Sequence, residues 1–236
     1  MINMASPFYT RKMFAPPEVF ENSQARLMPY FLTYIIDSKF RKSVKLKYWI
    51  RKQVNETFES VLETGKKIKD YKDPDKQAFA VFQWVRKNIS YIWDSKSVYK
   101  RLEYWQTAEE TVKEKVGDCE DGAILIYILC RLKGIPANRL YITASNVNGG
   151  GGHAFCLYKP SNYPFDYVIL DWCYDYDYKE IHHRNVFTIL GNTIRAWKRT
   201  STTTFKEVET NYYNLWFLFN EENSWKKIRV KKFEQR

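Results

Sequence analysis

The stretch that most limits the fold runs from Cys119 to Lys133, CEDGAILIYILCRLK. Residues 123–130, AILIYILC, offer no polar stripe, so a helix here has no face to give to water and must be buried on nearly all sides. Gly134 suits the left-handed position that closes such a helix, and Pro136 keeps it from resuming. A helix of this kind needs a surrounding layer. A chain of 236 residues, 44% hydrophobic and 17% aromatic, can build one in a single elaborated domain with extensions, and that composition argues against disorder throughout.

Elements on either side of this helix announce themselves by their caps and periods. Asp73 ahead of Pro74 predicts a helix start, and Ala78, Val81, Phe82, Val85 and Ile89 line one face of a helix ending near Asn88, with ISYIW as a short extended piece after it. Thr107 with Glu110 three residues on reads as a capping box for a short helix that delivers the chain to Gly117. Residues 41–69 read as one basic amphipathic helix, carrying Val44, Tyr48, Val54, Phe58, Val61 and Leu62, with Gly65 loosening its last turn. RLYITASNV, HAFCLYKP and FDYVILDWC read as three strands on short connections, hence an antiparallel meander. Past residue 180 the signals weaken, though YYNLWFLFN and WKKIRVKKF suggest a closing hairpin. No repeat or Pro/Ser-rich linker divides the chain.

A thiol nucleophile needs help to lose its proton, a base to exchange it with, and a group that orients the base. Cys119 opens the buried helix, where peptide dipoles and unpaired N–H groups favour a negative sulfur and could cradle an oxyanion. His153 opens a strand after a glycine run, and Asp171 ends the next strand; antiparallel pairing brings the two together, so that the carboxylate can fix the imidazole tautomer. Asp118, Glu120 and Asp121 suit the positive end of a helix but oppose a thiolate. Protonated His153 would have to outweigh them, unless a bound cation does. The four cysteines show no CxxC spacing, so zinc-knuckle and redox-pair chemistry are not indicated. Cys130 reads as core, and Cys156 falls on the strand face opposite His153.

The segments WVRKNISYIWD, WQTAEETVKEKVGDCEDGAIL, GIPA, GGHAFCLY and YVILDWCYD, within residues 78 to 175, resemble the transglutaminase-like superfamily of papain-like cysteine enzymes. The resemblance implies an α+β fold with a papain/transglutaminase-like core, in which the nucleophile helix packs on an antiparallel sheet. It assigns Cys119 as nucleophile, His153 as acid/base and Asp171 as orienting group, and makes Trp105 and Gln106 candidates for shaping the cleft or the oxyanion site. GDCED is also similar to bacterial transglutaminase-like cysteine proteinases, some of which bind calcium beside the nucleophile. Asp118 and Glu120 are the candidate calcium ligands, and no other cofactor is required. His182 and His183 lack a matching ligand spacing and read as surface residues. Three segments are expected: a basic helical N-terminal extension over 1–70, the transglutaminase-like core over 71–194, and a basic C-terminal β-hairpin extension packed on the core over 195–236.

Charge separates these segments. Lys and Arg outnumber Asp and Glu 13 to 6 in residues 1–69 and 10 to 5 in residues 195–236, against 15 to 16 between them. The basic flanks could hold an acidic partner or nucleic acid, while a protein or peptide substrate would meet the middle. No stretch has the length of apolar sequence that a membrane span needs, nor does the N-terminus resemble a signal peptide. The expected location is the cytoplasm, a host's included, or a virion if the chain is phage-encoded. The leading expectation is a thiol enzyme that opens an amide or peptide bond through an acyl-enzyme. Its rival is a non-enzymatic structural or assembly module, such as a bacteriophage virion protein, that docks through the basic flanks as part of a larger assembly.

Overall fold

The computed structural model describes residues 26–27, 46–98, 104–148, 151–161, 166–174, 186–190, 193–200 and 204–226. Five helices occur among them: α1 (Leu46–Asn55), α2 (Glu59–Lys67), α3 (Pro74–Asn88), α4 (Ala108–Glu114) and α5 (Cys119–Leu132). The strands are β1 (Arg26–Leu27), β2 (Ser90–Tyr91), β3 (Val116–Gly117), β4 (Leu140–Val147), β5 (Gly152–Tyr158), β6 (Val168–Leu170), β7 (Val186–Leu190), β8 (Thr193–Arg199), β9 (Phe205–Val208), β10 (Tyr212–Phe219) and β11 (Ser224–Lys226).

The expected α+β arrangement is present: α5 packs on β4 and β5 of a six-stranded sheet ordered β1-β11-β10-β4-β5-β6, while α3 and α4 cover it from elsewhere. Every residue of α5 from Cys119 to Cys130 is buried. Its five aliphatic residues Ile124, Leu125, Ile126, Ile128 and Leu129 each contribute about 1.5–3 kcal/mol by leaving water. All of β5 is buried too, which a strand sandwiched between layers requires. The meander β4-β5-β6 is antiparallel, with Ser145 opposite His153 and Cys156 opposite Leu170.

Local capping is as the residues dictate. The Asp73 side chain accepts the Asp75 and Lys76 N–H groups, and Pro74 fills the first helical position. Thr107 and Glu110 close their box at the start of α4. Gly134 ends α5 at φ +84°, where a side chain would be strained. The bond from Arg139 to Asp75 joins the loop before β4 to α3, with Tyr158 and Ser161 donating to the same carboxylate.

One expectation needs correcting. Residues 46–67 form two helices in place of one, and residues 41–45 lie outside the described set. The break falls at Thr57, whose hydroxyl donates to the carbonyls of Gln53 and Val54, so the side chain takes acceptors that a continuing helix would have filled. Gly65 does more than end a turn: a Cβ there would stand 2.5 Å from Leu132 Cδ2, so α2 packs tightly on α5 at this glycine. Where the sequence signals are weak, β7, β8 and β9 pair as a separate three-stranded antiparallel sheet. The closing hairpin forms from β10 and β11, and β10 pairs on its other edge with β4. No helix among the described residues is long and apolar enough to cross a membrane.

Candidate active site

Chain entry into α5 is built by short-range bonds. β3 pairs in parallel with β2, and the Ile92 N–H donates to the Gly117 carbonyl, which sets the strand just ahead of the helix. Asp118 is the N-cap residue, and Asp121 reaches back so that its Oδ2 accepts the Asp118 N–H at 3.1 Å. The other oxygen of Asp121 accepts the Gln106 N–H at 2.8 Å, tying the loop before α4 to the first turn of α5. Asp121 is therefore structural in this turn. Gly117 accommodates it, since a Cβ there would lie 2.7 Å from the Asp121 Cβ.

Cys119 follows the cap and is 8% exposed. Its thiol donates to Glu120 Oε2 at 3.2 Å, and its carbonyl accepts the Trp172 indole N–H at 3.3 Å. Trp172 lies over Gly122 so closely that a Cβ there would stand 2.0 Å from the indole nitrogen. Through this contact the start of α5 meets the segment that carries Asp171.

His153, near the start of β5, and Asp171, just past β6, are brought together as the antiparallel connection predicts: Nε2 and Oδ2 are 2.6 Å apart, and both residues are buried. Nδ1 of His153 is also buried and has no hydrogen-bond partner among the described residues. The rings of Tyr174 and Phe155 flank the imidazole, their centroids 5.0 and 6.2 Å away. Asp171 gains two further donors: the Tyr212 hydroxyl reaches Oδ2 at 2.8 Å, and the Cys173 N–H reaches Oδ1 at 3.0 Å. These contacts hold the buried carboxylate in place.

Acidic residues crowd the other side of the helix start. Carboxylate oxygens of Asp94, Asp118 and Asp121 lie within 4.8 Å of one another, as do the ligand atoms of Asp118, Cys119 and Glu120. Asp94 also accepts the Tyr104 N–H. Burial, then the charges of Asp118 and Asp94, push the Asp121 carboxyl well above the usual carboxylate range. Burial first, then the charges of Cys119 and Asp118, push the Tyr91 hydroxyl far up, so Tyr91 stands beside the site as a neutral phenol. Burial raises the thiols of Cys130 and Cys156 as well, as befits core residues. For the Cys173 thiol, burial and the Asp171 charge act together in the same direction.

Of the remaining candidates, Trp105 packs among aromatic rings, stacked on Phe219 at 6.2 Å and tilted to Phe217 at the same distance. Gln106 is fully buried, and neither polar atom of its side chain has a hydrogen-bond partner among the described residues. His182 and His183 lie outside the described residues. Sequence reasoning missed four neighbours of the site: Tyr91, Trp172, Cys173 and Tyr212. Trp172 and Cys173 adjoin Asp171 in the chain, and adjacency was their only signal. Tyr212 is one of 18 tyrosines and gave none.

Residues 62–158 match the model of the transglutaminase-like superfamily. This segment carries the core of that superfamily, so the resemblance read from the residues holds at that level. No curated protein matches the chain. Among solved structures, LapG of Legionella pneumophila is 19% identical, with 77% of this chain and 88% of that one covered at a TM-score of 0.43. Its calcium-bound form is 20% identical over 80% and 93%, at 0.44. Likenesses at this level assign no role to any residue.

Proposed function

We propose that the chain is a thiol hydrolase of amide or peptide bonds, with Cys119 as nucleophile, His153 as acid/base and Asp171 as orienting group. The observation that carries this reading is the buried 2.6 Å contact between His153 Nε2 and Asp171 Oδ2, with Nδ1 left unpartnered. Asp171 then holds Nε2–H, so Nδ1 is the nitrogen able to take a proton from the thiol. Cys119 adds to a substrate carbonyl carbon as its proton passes to His153. The tetrahedral intermediate collapses, the C–N bond breaks, and the imidazolium returns the proton to the leaving amine. Water, activated by the same imidazole, then hydrolyses the thioester and restores the thiol. Backbone N–H groups of the first turn of α5 face the developing oxyanion. Gln106, with a buried and unpartnered amide, is the side chain best suited to add a donor.

The three segments expected from charge, 1–70, 71–194 and 195–236, remain part of this proposal, with Tyr212 of the last lending its hydroxyl to Asp171 of the second. A protein or peptide is the substrate class it implies. The convergence of Asp94, Asp118 and Asp121 fits a hard divalent cation such as calcium, which takes oxygen donors and offsets buried negative charge. Those three residues would hold it, and it would steady the first turn of α5; Glu120, on the Cys119 side, is a further oxygen donor.

The hydrogen bond from the Cys119 thiol to Glu120 favours a second reading, because a thiol that donates to a carboxylate is the opposite of an activated thiolate. In that reading the fold serves as an assembly module that docks through its basic flanks. Site-resolved labelling of Cys119 by iodoacetamide separates the two. The enzymatic reading expects labelling at least about tenfold faster in the wild type than in His153→Ala. Equal, slow rates in both would sink it.

A further inference from the structure

Cys173 has no part in the proposed reaction, yet the fold sets it at the imidazole. The pairing of β5 with β6 ends at Cys156 and Leu170, and the chain bends past Asp171 so that Cys173 comes near His153. An imidazole nitrogen of His153, a carboxylate oxygen of Asp171 and the sulfur of Cys173 all lie within 4.8 Å of one another. This donor set differs in kind from the acidic cluster across the helix start. Calcium and magnesium take oxygen ligands, whereas one nitrogen, one sulfur and one oxygen suit zinc and its neighbours in the first transition row. Donors on a tetrahedral zinc stand roughly 3.5 Å apart, given bonds of about 2.0–2.3 Å, so a contraction of about an ångström closes the set. Three protein donors leave a fourth position for water or another thiolate.

The surroundings permit the exchange of protons that binding requires. Nδ1 of His153 is buried without a hydrogen-bond partner among the described residues, so the imidazole proton can sit there when Nε2 takes an ion. His153 and Asp171 are buried, while Cys173 is only half-buried.

We propose that His153, Asp171 and Cys173 form a binding site for a zinc-class divalent ion, and that its occupation switches the thiol chemistry off by taking the imidazole from Cys119. Binding forms metal–nitrogen, metal–oxygen and metal–sulfur bonds and releases the Cys173 thiol proton to water; no electron is transferred. The inhibitory half rests on the thiol-hydrolase reading, and the binding half does not.

Titration of the metal-free full chain with cobalt(II) and then zinc tests both halves. One cobalt per chain should give a near-ultraviolet sulfur-to-cobalt charge-transfer band that zinc abolishes. Cys173→Ser should lose the band and bind zinc at least about tenfold more weakly. Cys119→Ala should keep the band. Zinc should slow Cys119 labelling in the wild type at least about tenfold and leave Cys173→Ser unaffected. A band that survives Cys173→Ser, or is lost in Cys119→Ala, overturns the site. A normal band with zinc-insensitive fast labelling overturns the inhibitory half. Slow labelling of Cys119 without zinc, alongside the expected band, overturns the thiol-hydrolase reading and leaves the metal site standing.

Discussion

The Tyr212 hydroxyl donates to Asp171 Oδ2 at 2.8 Å, on the same oxygen that faces His153 Nε2 at 2.6 Å. β10 thus supplies the second donor to the carboxylate proposed to orient the imidazole, from 41 residues further along the chain. A hydrogen bond to a charged group contributes about 1.5–3 kcal/mol. Tyr212→Phe keeps the ring in its edge contacts with Phe155 and Phe187 and removes this bond. The expected outcome is a stability loss of about 1.5 kcal/mol or more by urea unfolding. Cys119 labelling should also slow by roughly tenfold, the rate equivalent of about 1.4 kcal/mol. Labelling at the wild-type rate in a normally folded Tyr212→Phe would remove Tyr212 from the site.

Gly122→Ala is expected to be among the most damaging single changes in α5, although alanine is ordinarily the better helix former by about 1 kcal/mol. Its Cβ would meet the Trp172 indole nitrogen at 2.0 Å, so the indole must move and its bond to the Cys119 carbonyl is lost. Overpacking of this kind costs about 1–3 kcal/mol. Thermal unfolding reads the loss, and tryptophan fluorescence reads the displaced indole; a gain in stability would refute the contact.

Asp75→Ala leaves Arg139 without its carboxylate and strips the partner from the Tyr158 hydroxyl, both inside the fold. Removing one member of a buried pair costs about 3–5 kcal/mol. A stability loss of less than about 1 kcal/mol by urea unfolding would show the network to be dispensable.

The carboxyl of Asp121 gives a pH prediction whose sign follows from its raised value. A carboxyl raised in the folded state binds its proton more tightly there than in the unfolded chain. Its contribution to stability is complete below the unfolded value of about 3.9 and is lost as pH rises through the raised one. In EGTA the melting temperature should therefore fall between about pH 5 and about pH 8. Calcium should raise it more at the higher pH, where all three carboxylates compete for compensation. Equal stabilisation at both values, or none, would count against a cation at Asp94, Asp118 and Asp121.

Which parts of this arrangement could be read in advance follows from how far apart the interacting residues lie. The caps at Asp73 and Thr107 bond N–H groups two or three residues away, so the residues that make them are visible together. The antiparallel meander followed from period-two strands on short loops, and with it the meeting of His153 and Asp171. The break between α1 and α2 was not read, because hydrophobic spacing continues across Thr57 and only its hydroxyl bonds end the helix. Asp94 and Asp121 were not grouped with Asp118 as a cation cluster, since Asp94 reaches them through the pairing of β2 with β3.

The sequence by itself determined that α5 is buried, where it begins and ends, and that Cys119 stands at its head. Those properties depend on side-chain polarity and on bonds closed within one turn. Tertiary structure alone decided that Trp172 lies on Gly122, that Cys173 comes near His153, and that Tyr212 meets Asp171. These contacts depend on strand register and sheet order, and a shift of one residue would turn each side chain to the other face.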